Sequence, residues 1–380
     1  MRGVLWILSA NRVFQLKFNY PIDRLDFIMK GMERSAYRII DANFNRGREA
    51  LRVIEEYCRF TLNSSVLSER SKQMRHQLCS LIARLDEGRL ITSRDTVGDV
   101  GVDIKIDEQL VRGDLEDCLR AACKRLTEAL RAIAEVVQSV DIFVSDGIEK
   151  LRYAVYTLEK DIVLSAIPSE KFKKVRLYII ITSTLPLQII SLAEKCARGG
   201  ADCIQLRFKD IEDRKLYMVG REFVEICRSY NVLSIINDRI DIAVVSGADG
   251  VHLGWNDLSV EKARQLELQP LIIGKTTHSI DQIEQIRQSI PTYVSLGPVY
   301  PTSTKPNLKA VGLDYVTAGI KHLKDTGIHH VAVGGITVDT VEDVMKAGAT
   351  TIAVCSAVTG DADPRNRCMI LKEKITAYLD

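Results

Sequence analysis

The second half of this 380-residue chain contains a series of short apolar runs, and polar side chains follow the end of each run. The first such segment is Gln205-Leu206-Arg207-Phe208-Lys209. Successive side chains of a strand point to opposite faces, so Gln205, Arg207 and Lys209 share one face. Burying two cations and an amide without partners is costly. This face is therefore expected to meet either solvent, as on an edge strand, or an anion.

Two aspartates at the ends of later apolar runs are candidate oxygen ligands for a divalent cation. Asp238 and Asp257 each follow an apolar run. Mg²⁺ is commonly held by one or two carboxylates together with substrate phosphates. With Arg207, Lys209 and Lys305 as the cations, the two aspartates predict a site for magnesium-bound pyrophosphate.

A second phosphate site is predicted by Gly334-Gly335 and Ser356, which follow the last two apolar runs and precede helical segments. Backbone N–H groups at such positions bind phosphate. One substrate with a single phosphate and another with two would explain both sites. Neither a Ser-His-Asp order nor a Schiff-base lysine in an apolar run is evident. The pattern favours a reaction in which pyrophosphate departs and the protein stabilises its charge.

The elements that would position these groups are apolar runs that alternate with amphipathic helices from Val175 onward. Eight strand-helix units in about 205 residues predict a compact (β/α)₈ TIM barrel, with its chemistry at the carboxyl ends of the strands. An open doubly wound sheet is the alternative. The predicted strands are 176–182, 203–208, 233–238, 250–254, 271–278, 293–300, 330–336 and 351–358, and the clearest helices are 187–198, 212–230 and 313–324.

The predicted strand ends carry, in order, Gln-Leu-Arg-x-Lys, Ile-Asn-Asp-Arg, Gly-Val-His-Leu-Gly-x-x-Asp, Gly-x-Thr-x-His, Gly-Pro-Val-Tyr-Pro-Thr-x-Thr-Lys and Gly-Gly-Ile-Thr. This series resembles the thiamine phosphate synthase (thiamine-phosphate pyrophosphorylase) family over residues 175–380. The resemblance implies a transferase of thiamine biosynthesis. Its substrates would be 4-amino-2-methyl-5-(diphosphooxymethyl)pyrimidine and 4-methyl-5-(2-phosphooxyethyl)thiazole or its carboxylated form. Its products would be thiamine monophosphate and pyrophosphate, formed by a dissociative mechanism with Mg²⁺ as cofactor.

The resemblance also implies roles for individual residues. Arg207, Lys209 and Lys305 would be the catalytic cations, and Asp238 and Asp257 would bind the metal. The pyrimidine diphosphate would contact Gln205, Leu206, Arg207, Phe208, Lys209, Asn237, Thr276 and Lys305. The thiazole phosphate would contact Thr302, Ser303, Thr304, Gly335, Cys355 and Ser356.

Three positions depart from the family pattern. Trp255 stands where glutamine is usual, Thr276 where serine is common, and Cys355 where an aliphatic residue is common. Threonine keeps the hydroxyl, and Cys355 would make contact through its backbone. The departure that bears on the site is therefore at Trp255.

The amino-terminal half has a different pattern, with long charged helices predicted at 36–62, 65–87, 114–138 and 146–167. These helices predict an α-helical domain over residues 32–167, with a glycine-punctuated acidic loop at 95–105. The domain resembles one fused ahead of this synthase in some bacteria. On the first helix, polar residues recur every three or four positions and so fall along one side of the helix as a polar stripe. The stripe predicts a solvated, salt-bridged face in preference to a ligand site, and it comprises Asn45, Glu49, Arg52, Glu56 and Arg59.

Two flanking segments complete the predicted domain organisation. We expect residues 1–31 to be a poorly structured leader or an over-long start, with Met29 or Met32 as the first residue. Pro168 and the lysines that follow it predict a linker at 168–174. The barrel would then occupy residues 175–380.

Composition narrows the functional classes. The formal net charge of +2 and the lack of a basic stripe give no sign of nucleic acid, and no apolar run reaches membrane-spanning length. Nine cysteines without a Cys-x-x-Cys pair predict free thiols and a cytoplasmic protein. The expected partners are small phosphorylated substrates, and formation of a homo-oligomer stays open.

Two alternative functions remain open at this stage. The first is a phosphate-binding barrel isomerase, which should show a base on an early strand. The second is a non-catalytic sensor of thiazole or thiamine phosphate, which would not need the aspartates and cations listed above.

Overall fold

Eight parallel strands close into a barrel in which each strand pairs with the next one along the chain and the last pairs with the first. This confirms the predicted (β/α)₈ fold and excludes the open sheet. In this computed structural model the described residues are 3–9, 12–18, 22–101, 112–183, 185–209, 211–302 and 308–379. The barrel strands are β3 (Leu177–Thr182), β4 (Cys203–Arg207), β5 (Leu233–Asn237), β6 (Gly250–Leu253), β7 (Ile272–Thr277), β8 (Tyr293–Leu296), β9 (His329–Val333) and β10 (Ile352–Val354).

Helices that follow the strands cover the outside of the barrel. Apolar residues on alternate strand positions and on the inner helix faces form one continuous buried core between the two layers. The helices of this layer are α6 (Pro186–Arg198), α7 (Asp213–Ser229), α8 (Ile240–Ser246), α9 (Val260–Arg264), α10 (Ile280–Ile286), α11 (Gly312–Leu323), α12 (Val341–Lys346), α13 (Ser356–Thr359) and α14 (Pro364–Leu379).

The last three strands end earlier than predicted. Strand β8 ends at Leu296, before Gly297 and Pro298, and β9 ends before Gly334 and Gly335. Gly334 and Gly335 have positive φ values, 106° and 65°, that are incompatible with strand geometry. The predicted segments ran on into what are the loops of the carboxyl-terminal rim.

Aromatic side chains fill the lower interior of the barrel. The rings of Phe172 and Tyr293 stack with centroids 4.4 Å apart, and the Tyr293 hydroxyl lies 2.9 Å from that of Tyr178. A Cβ at Gly274 would lie 2.1 Å from Cζ of Tyr293. Gly274 therefore allows the Tyr293 ring to cross the barrel and close it from below.

The amino-terminal elements include a hairpin and long helices. Residues 3–9 and 12–18 pair as antiparallel strands, and a helix begins at Ile22. These elements lie in the segment for which the sequence predicted a poorly structured leader or an over-long start. The elements of this half are β1 (Gly3–Ser9), β2 (Arg12–Phe18), α1 (Ile22–Glu56), a π-helical turn (Tyr57–Thr61), α2 (Ser65–Ile82), α3 (Glu87–Thr92), α4 (Leu115–Val137) and α5 (Ile142–Phe172).

Helices α1 and α4 pack against each other, with Ile40, Leu51 and Ile54 on α1 and Leu126 and Leu130 on α4 fully buried. Burial of these side chains supplies the hydrophobic stabilisation of the helical region. The predicted loop at 95–105 is described only up to residue 101, and its remainder lies outside the described residues.

The polar stripe on α1 engages in surface ion pairs. Nε of Arg52 lies 2.9 Å from Glu56, and both side chains are about half exposed. The Asn45 amide donates to the backbone oxygen of Asp41 at 3.0 Å. These contacts agree with a solvated, salt-bridged face.

The predicted linker at 168–174 is helical as far as Phe172, because α5 continues through Pro168. Proline lacks the N–H that would bond to the Leu164 oxygen four residues earlier. The guanidinium of Arg264 donates to this oxygen at 3.0 Å and replaces the missing bond. Residues 58–66 and 160 onward form one compact unit, and residues 1–57 and 67–159 form the other. The division therefore falls before the predicted linker.

No helix among the described residues is long and apolar enough to cross a membrane.

Candidate active site

A cavity of about 310 Å³ opens at the carboxyl ends of the barrel strands. It is the position at which active sites of this fold are built. Predicted site residues from six strands or the loops after them line it together. They are Gln205, Arg207, Asn237, Thr276, Thr302, Gly335, Cys355 and Ser356.

The remaining predicted residues fall elsewhere. Leu206 and Phe208 are 0% and 6% exposed and pack in the core between strands and helices, so their side chains do not reach the cavity. Lys209 lies at the strand end, outside the cavity lining. Ser303, Thr304 and Lys305 lie outside the described residues.

Amide groups on β4 and β5 form part of the cavity wall. Gln205 is 2% exposed, and its Nε2 donates to Oδ1 of Asn237 at 3.3 Å. Because Asn237 accepts through its oxygen, its NH₂ group is left to donate to a ligand. Arg207 lines the same wall, and no hydrogen-bond partner of its guanidinium occurs among the described residues.

The two predicted metal ligands lie next to each other. The carboxyl groups of Asp238 and Asp257 lie within hydrogen-bonding reach of each other, and Nζ of Lys209 lies 3.0 Å from Oδ2 of Asp238. Burial and the neighbouring Asp257 raise the pKa of Asp238. Burial alone would also raise the pKa of Asp257, but hydrogen bonds from Asp238 and the Gly254 N–H, with the charges of Lys209 and Lys275, lower it.

Two carboxylates that approach this closely must share a proton or a cation. Among the described residues there is no group of three or more acidic, histidine or cysteine side chains that could hold a metal ion. A divalent cation at Asp238 and Asp257 would therefore need further oxygen atoms from phosphate or water, which suits Mg²⁺.

The opposite wall is made by the loops after β9 and β10. A Cβ at Gly335, whose φ is 65°, would lie 2.6 Å from the Pro301 oxygen. Only glycine therefore allows the loop after β9 to come this close to Pro301 on the loop after β8. No acceptor for the Gly335 N–H occurs among the described residues. Ser356, which begins α13, lies on the same wall, so the cavity has a second place for an anion.

Histidines near the cavity were not assigned a role from the sequence. Nε2 of His252 lies 2.9 Å from the Thr276 hydroxyl, and its Nδ1 lies 3.0 Å from the Tyr293 hydroxyl. Nδ1 of His278 lies 2.5 Å from the Gly297 oxygen. A carbonyl only accepts, so His278 carries its proton on Nδ1 and Nε2 is an acceptor in the neutral ring. The signals in the sequence were their positions at strand ends and their place in the Gly-Val-His-Leu-Gly-x-x-Asp and Gly-x-Thr-x-His motifs.

A buried lysine was also missed. Lys275 on β7 is 3% exposed and does not line the cavity, and its Nζ donates to the oxygens of Gly254 and Leu258 at 2.7 and 3.0 Å. Burial lowers the pKa of this ammonium. Since its donors are engaged by backbone carbonyls, it is not placed to form a Schiff base.

The half-buried Trp255 lies on the loop after β6, outside the cavity lining.

Comparison with known proteins places this geometry in a family. Residues 177–358 match the family described as thiamine monophosphate synthase, and residues 38–161 match the ThiD2 family. The thiamine-phosphate synthase of Thermosynechococcus vestitus is 36% identical over 330 residues, which cover 86% of this chain and 91% of that protein. The corresponding synthase of Synechocystis is 35% identical over 328 residues, which cover 86% of this chain and 92% of that protein.

A solved structure agrees with these relatives. Thiamine phosphate pyrophosphorylase from Pyrococcus furiosus superimposes with a TM-score of 0.50 at 31% identity, covering 55% of this chain and 98% of that one. The sequence relatives match across both halves of the chain, and the solved structure shares the fold. The chain therefore belongs to the thiamine-phosphate synthase family, whose members are transferases of thiamine biosynthesis.

Proposed function

We propose that this synthase joins 4-amino-2-methyl-5-(diphosphooxymethyl)pyrimidine to 4-methyl-5-(2-phosphooxyethyl)thiazole, or its carboxylated form, by a dissociative route. One observation carries the proposal. A single cavity has Arg207 at its β4 side and a glycine-lined anion site at its β9–β10 side. Lys209, Asp238 and Asp257 follow β4, β5 and β6 at the same end of the barrel, outside the lining of the cavity. Two phosphorylated substrates of different charge fit such a cavity.

At the β4–β6 side, Arg207 and Lys209 would bind the diphosphate, with Lys305 as the third predicted cation. The NH₂ group of Asn237, as donor, and the hydroxyl of Thr276 would hold the pyrimidine. Arginine and lysine stabilise negative charge that develops on a leaving phosphate. These residues would therefore favour breakage of the bond between the methylene carbon and the diphosphate oxygen, with the electron pair leaving on oxygen.

Asp238 and Asp257 would hold Mg²⁺ as the cofactor. Their close approach and their oxygen donors fit a hard cation. When bound, Mg²⁺ would neutralise charge on the pyrophosphate oxygens. Lys209, which pairs with Asp238, would exchange this partner for the diphosphate.

At the β9–β10 side, Gly335, Cys355 and Ser356 would bind the thiazole phosphate, together with Thr302 and the predicted Ser303 and Thr304. This arrangement would direct the thiazole nitrogen toward the pyrimidine methylene. Its lone pair would form the new C–N bond after the diphosphate has left. Where the carboxylated thiazole is used, carbon dioxide leaves in addition.

The chain's own residues support a dissociative route. Among the described residues that line the cavity, no serine or cysteine is paired with a histidine as an activated nucleophile. The lining instead offers cations, amides and hydroxyls, which bind and orient. Since none of the nine cysteines forms a disulfide, we also place the protein in the reducing cytoplasm.

The test is to incubate the full-length protein with both substrates and Mg²⁺ and to measure pyrophosphate and thiamine phosphate. Equimolar formation of both is expected, and neither product should form when one substrate is omitted. An electron-withdrawing substituent on the pyrimidine should slow single turnover by orders of magnitude, because it destabilises the pyrimidinylmethyl cation. Absence of product overturns the proposed reaction, and insensitivity to the substituent overturns the dissociative route alone.

A further inference from the structure

Lys275 joins the wall of the barrel to the loop after β6. Its ammonium donates to the backbone oxygens of Gly254 at 2.7 Å, Leu258 at 3.0 Å and Asp257 at 3.4 Å. A lysine ammonium has three donors, and here each faces a carbonyl of one short loop.

This lysine faces away from the substrate cavity. Gly274 and Thr276, its neighbours on β7, face the barrel interior, where they meet Tyr293 and the cavity. Strand alternation puts Lys275 on the opposite face. A buried ammonium is costly unless its hydrogen bonds are satisfied, so the three carbonyls account for its presence there.

The loop held by Lys275 carries Asp257. Oδ2 of Asp257 accepts from the Gly254 N–H at 2.6 Å, while the Gly254 oxygen accepts from Lys275. The Asp257 N–H also bonds to that oxygen at 3.1 Å. Gly254 therefore links the ammonium to the carboxylate that is hydrogen-bonded to Asp238.

We propose that Lys275 is a positioning residue for Asp257, which it holds against Asp238 by fixing the backbone of residues 254–258. The inference rests on the proposed function, in which the two aspartates bind metal pyrophosphate. Lys275 does not touch substrate in this role. Residues that orient metal ligands typically change metal affinity by about 10- to 100-fold when they are replaced.

The test measures binding of Mn²⁺ pyrophosphate to the full-length protein by water-proton relaxation, without turnover. Lys275→Met should weaken binding by about tenfold, and the KM of the thiazole phosphate, which binds at the opposite wall, should not change. The matched control is Lys262→Met, since Lys262 is an exposed lysine of α9. Lys262→Met should bind Mn²⁺ pyrophosphate with the same affinity as the wild type.

A double variant tests the route through Asp257. Asp257→Asn alone should weaken binding, and adding Lys275→Met to it should weaken binding no further. If Lys275→Met weakens binding by the same factor in Asp257→Asn as in the wild type, Lys275 acts independently of Asp257 and the inference is overturned.

The remaining outcomes separate the inference from the proposed function. If the wild type fails to bind Mn²⁺ pyrophosphate, both the metal site and the inference are wrong. If Asp257→Asn weakens binding and Lys275→Met does not, only the inference is wrong. Should Lys275→Met fail to fold by circular dichroism, Lys275→Gln decides. Its shorter side chain cannot reach three carbonyls, so wild-type affinity in that variant would overturn the inference.

Discussion

Nζ of Lys209 lies 3.0 Å from Oδ2 of Asp238 at the rim of the barrel. A predicted diphosphate-binding cation and a predicted metal-binding carboxylate thus neutralise each other across neighbouring strand ends. Lys209 is about half exposed and Asp238 about a quarter exposed, so the pair is weak and can be exchanged for ligands. The proposed metal and the proposed pyrophosphate would therefore bind next to each other.

Asp238→Asn should lower turnover by at least about 100-fold at limiting Mg²⁺, because a neutral amide is a weaker ligand for a hard cation. Pyrophosphate release as a function of Mg²⁺ concentration measures the effect. Asp241→Asn is the matched control, since Asp241 pairs with Arg239 on the surface. Equal rates in the wild type and Asp238→Asn would contradict the metal assignment.

His252→Phe should raise the KM of the pyrimidine diphosphate about tenfold and leave that of the thiazole phosphate unchanged. The phenyl ring can still stack on Tyr293, but the Thr276 hydroxyl loses its partner, at a cost of about 1–3 kcal/mol. Tyr293→Phe, which leaves the His252–Thr276 contact in place, should have a smaller effect. Steady-state kinetics with each substrate varied would show whether the two constants separate in this way.

Gly335→Ala should weaken binding of the thiazole phosphate by about tenfold or more, because its Cβ would lie 2.6 Å from the Pro301 oxygen and the positive φ adds about 1 kcal/mol of strain. Gly348→Ala is the control for strain alone. Its φ is also positive, but the nearest atom to its Cβ would be Cδ1 of Ile320 at 3.5 Å. A similar loss of affinity in both variants would count against a local phosphate site.

Glu267→Gln should make the stability of the barrel less dependent on pH. Burial raises the pKa of Glu267 to about 7, against an ordinary value of 4.5. The folded protein therefore binds more protons than the unfolded chain between these values, so this contribution to stability is present below about pH 4.5 and is lost as pH rises through about 7.

The effect is at most about 3 kcal/mol, and thermal unfolding at pH 5 and pH 8 measures it. The midpoint of the wild type should fall from pH 5 to pH 8 by more than that of Glu267→Gln. Parallel changes in the two proteins would show that Glu267 does not titrate in this range.

A chain that begins at Lys160 should keep most of the synthase activity, because it contains the whole of the barrel unit except residues 58–66. A chain that begins at Lys174 should be less stable, since it lacks Phe172, which stacks on Tyr293. Loss of a buried phenylalanine costs about 3–5 kcal/mol. Circular dichroism and pyrophosphate release compare the two. Inactivity of a folded Lys160 chain would mean that the helical half is required for the coupling reaction.

Much of the barrel could be predicted because its signals are local. Each strand is recognised from the alternation of apolar and polar residues and from the turn residues that follow it, as in residues 203–209. These signals lie within a few neighbouring positions of the chain. The rule that parallel strands place their carboxyl ends together then collects Gln205, Asn237, Thr276 and Gly335 at one rim. The sequence predicted a linker at Pro168, whereas the helix continues through it, because the distant Arg264 donates to the backbone oxygen that the proline leaves without its helical partner.

The sequence by itself predicted the eight strand-helix units, the family and the set of polar residues at the rim. Only the tertiary structure decided which of them line the cavity, since Lys209 shares a predicted strand face with Gln205 and Arg207 but lies outside the lining. It also decided that Lys275 is buried beneath the loop of Asp257 and that His252 joins Tyr293 to Thr276. Side-chain partners that are far apart in the chain meet only after the strands close, so no local pattern records them.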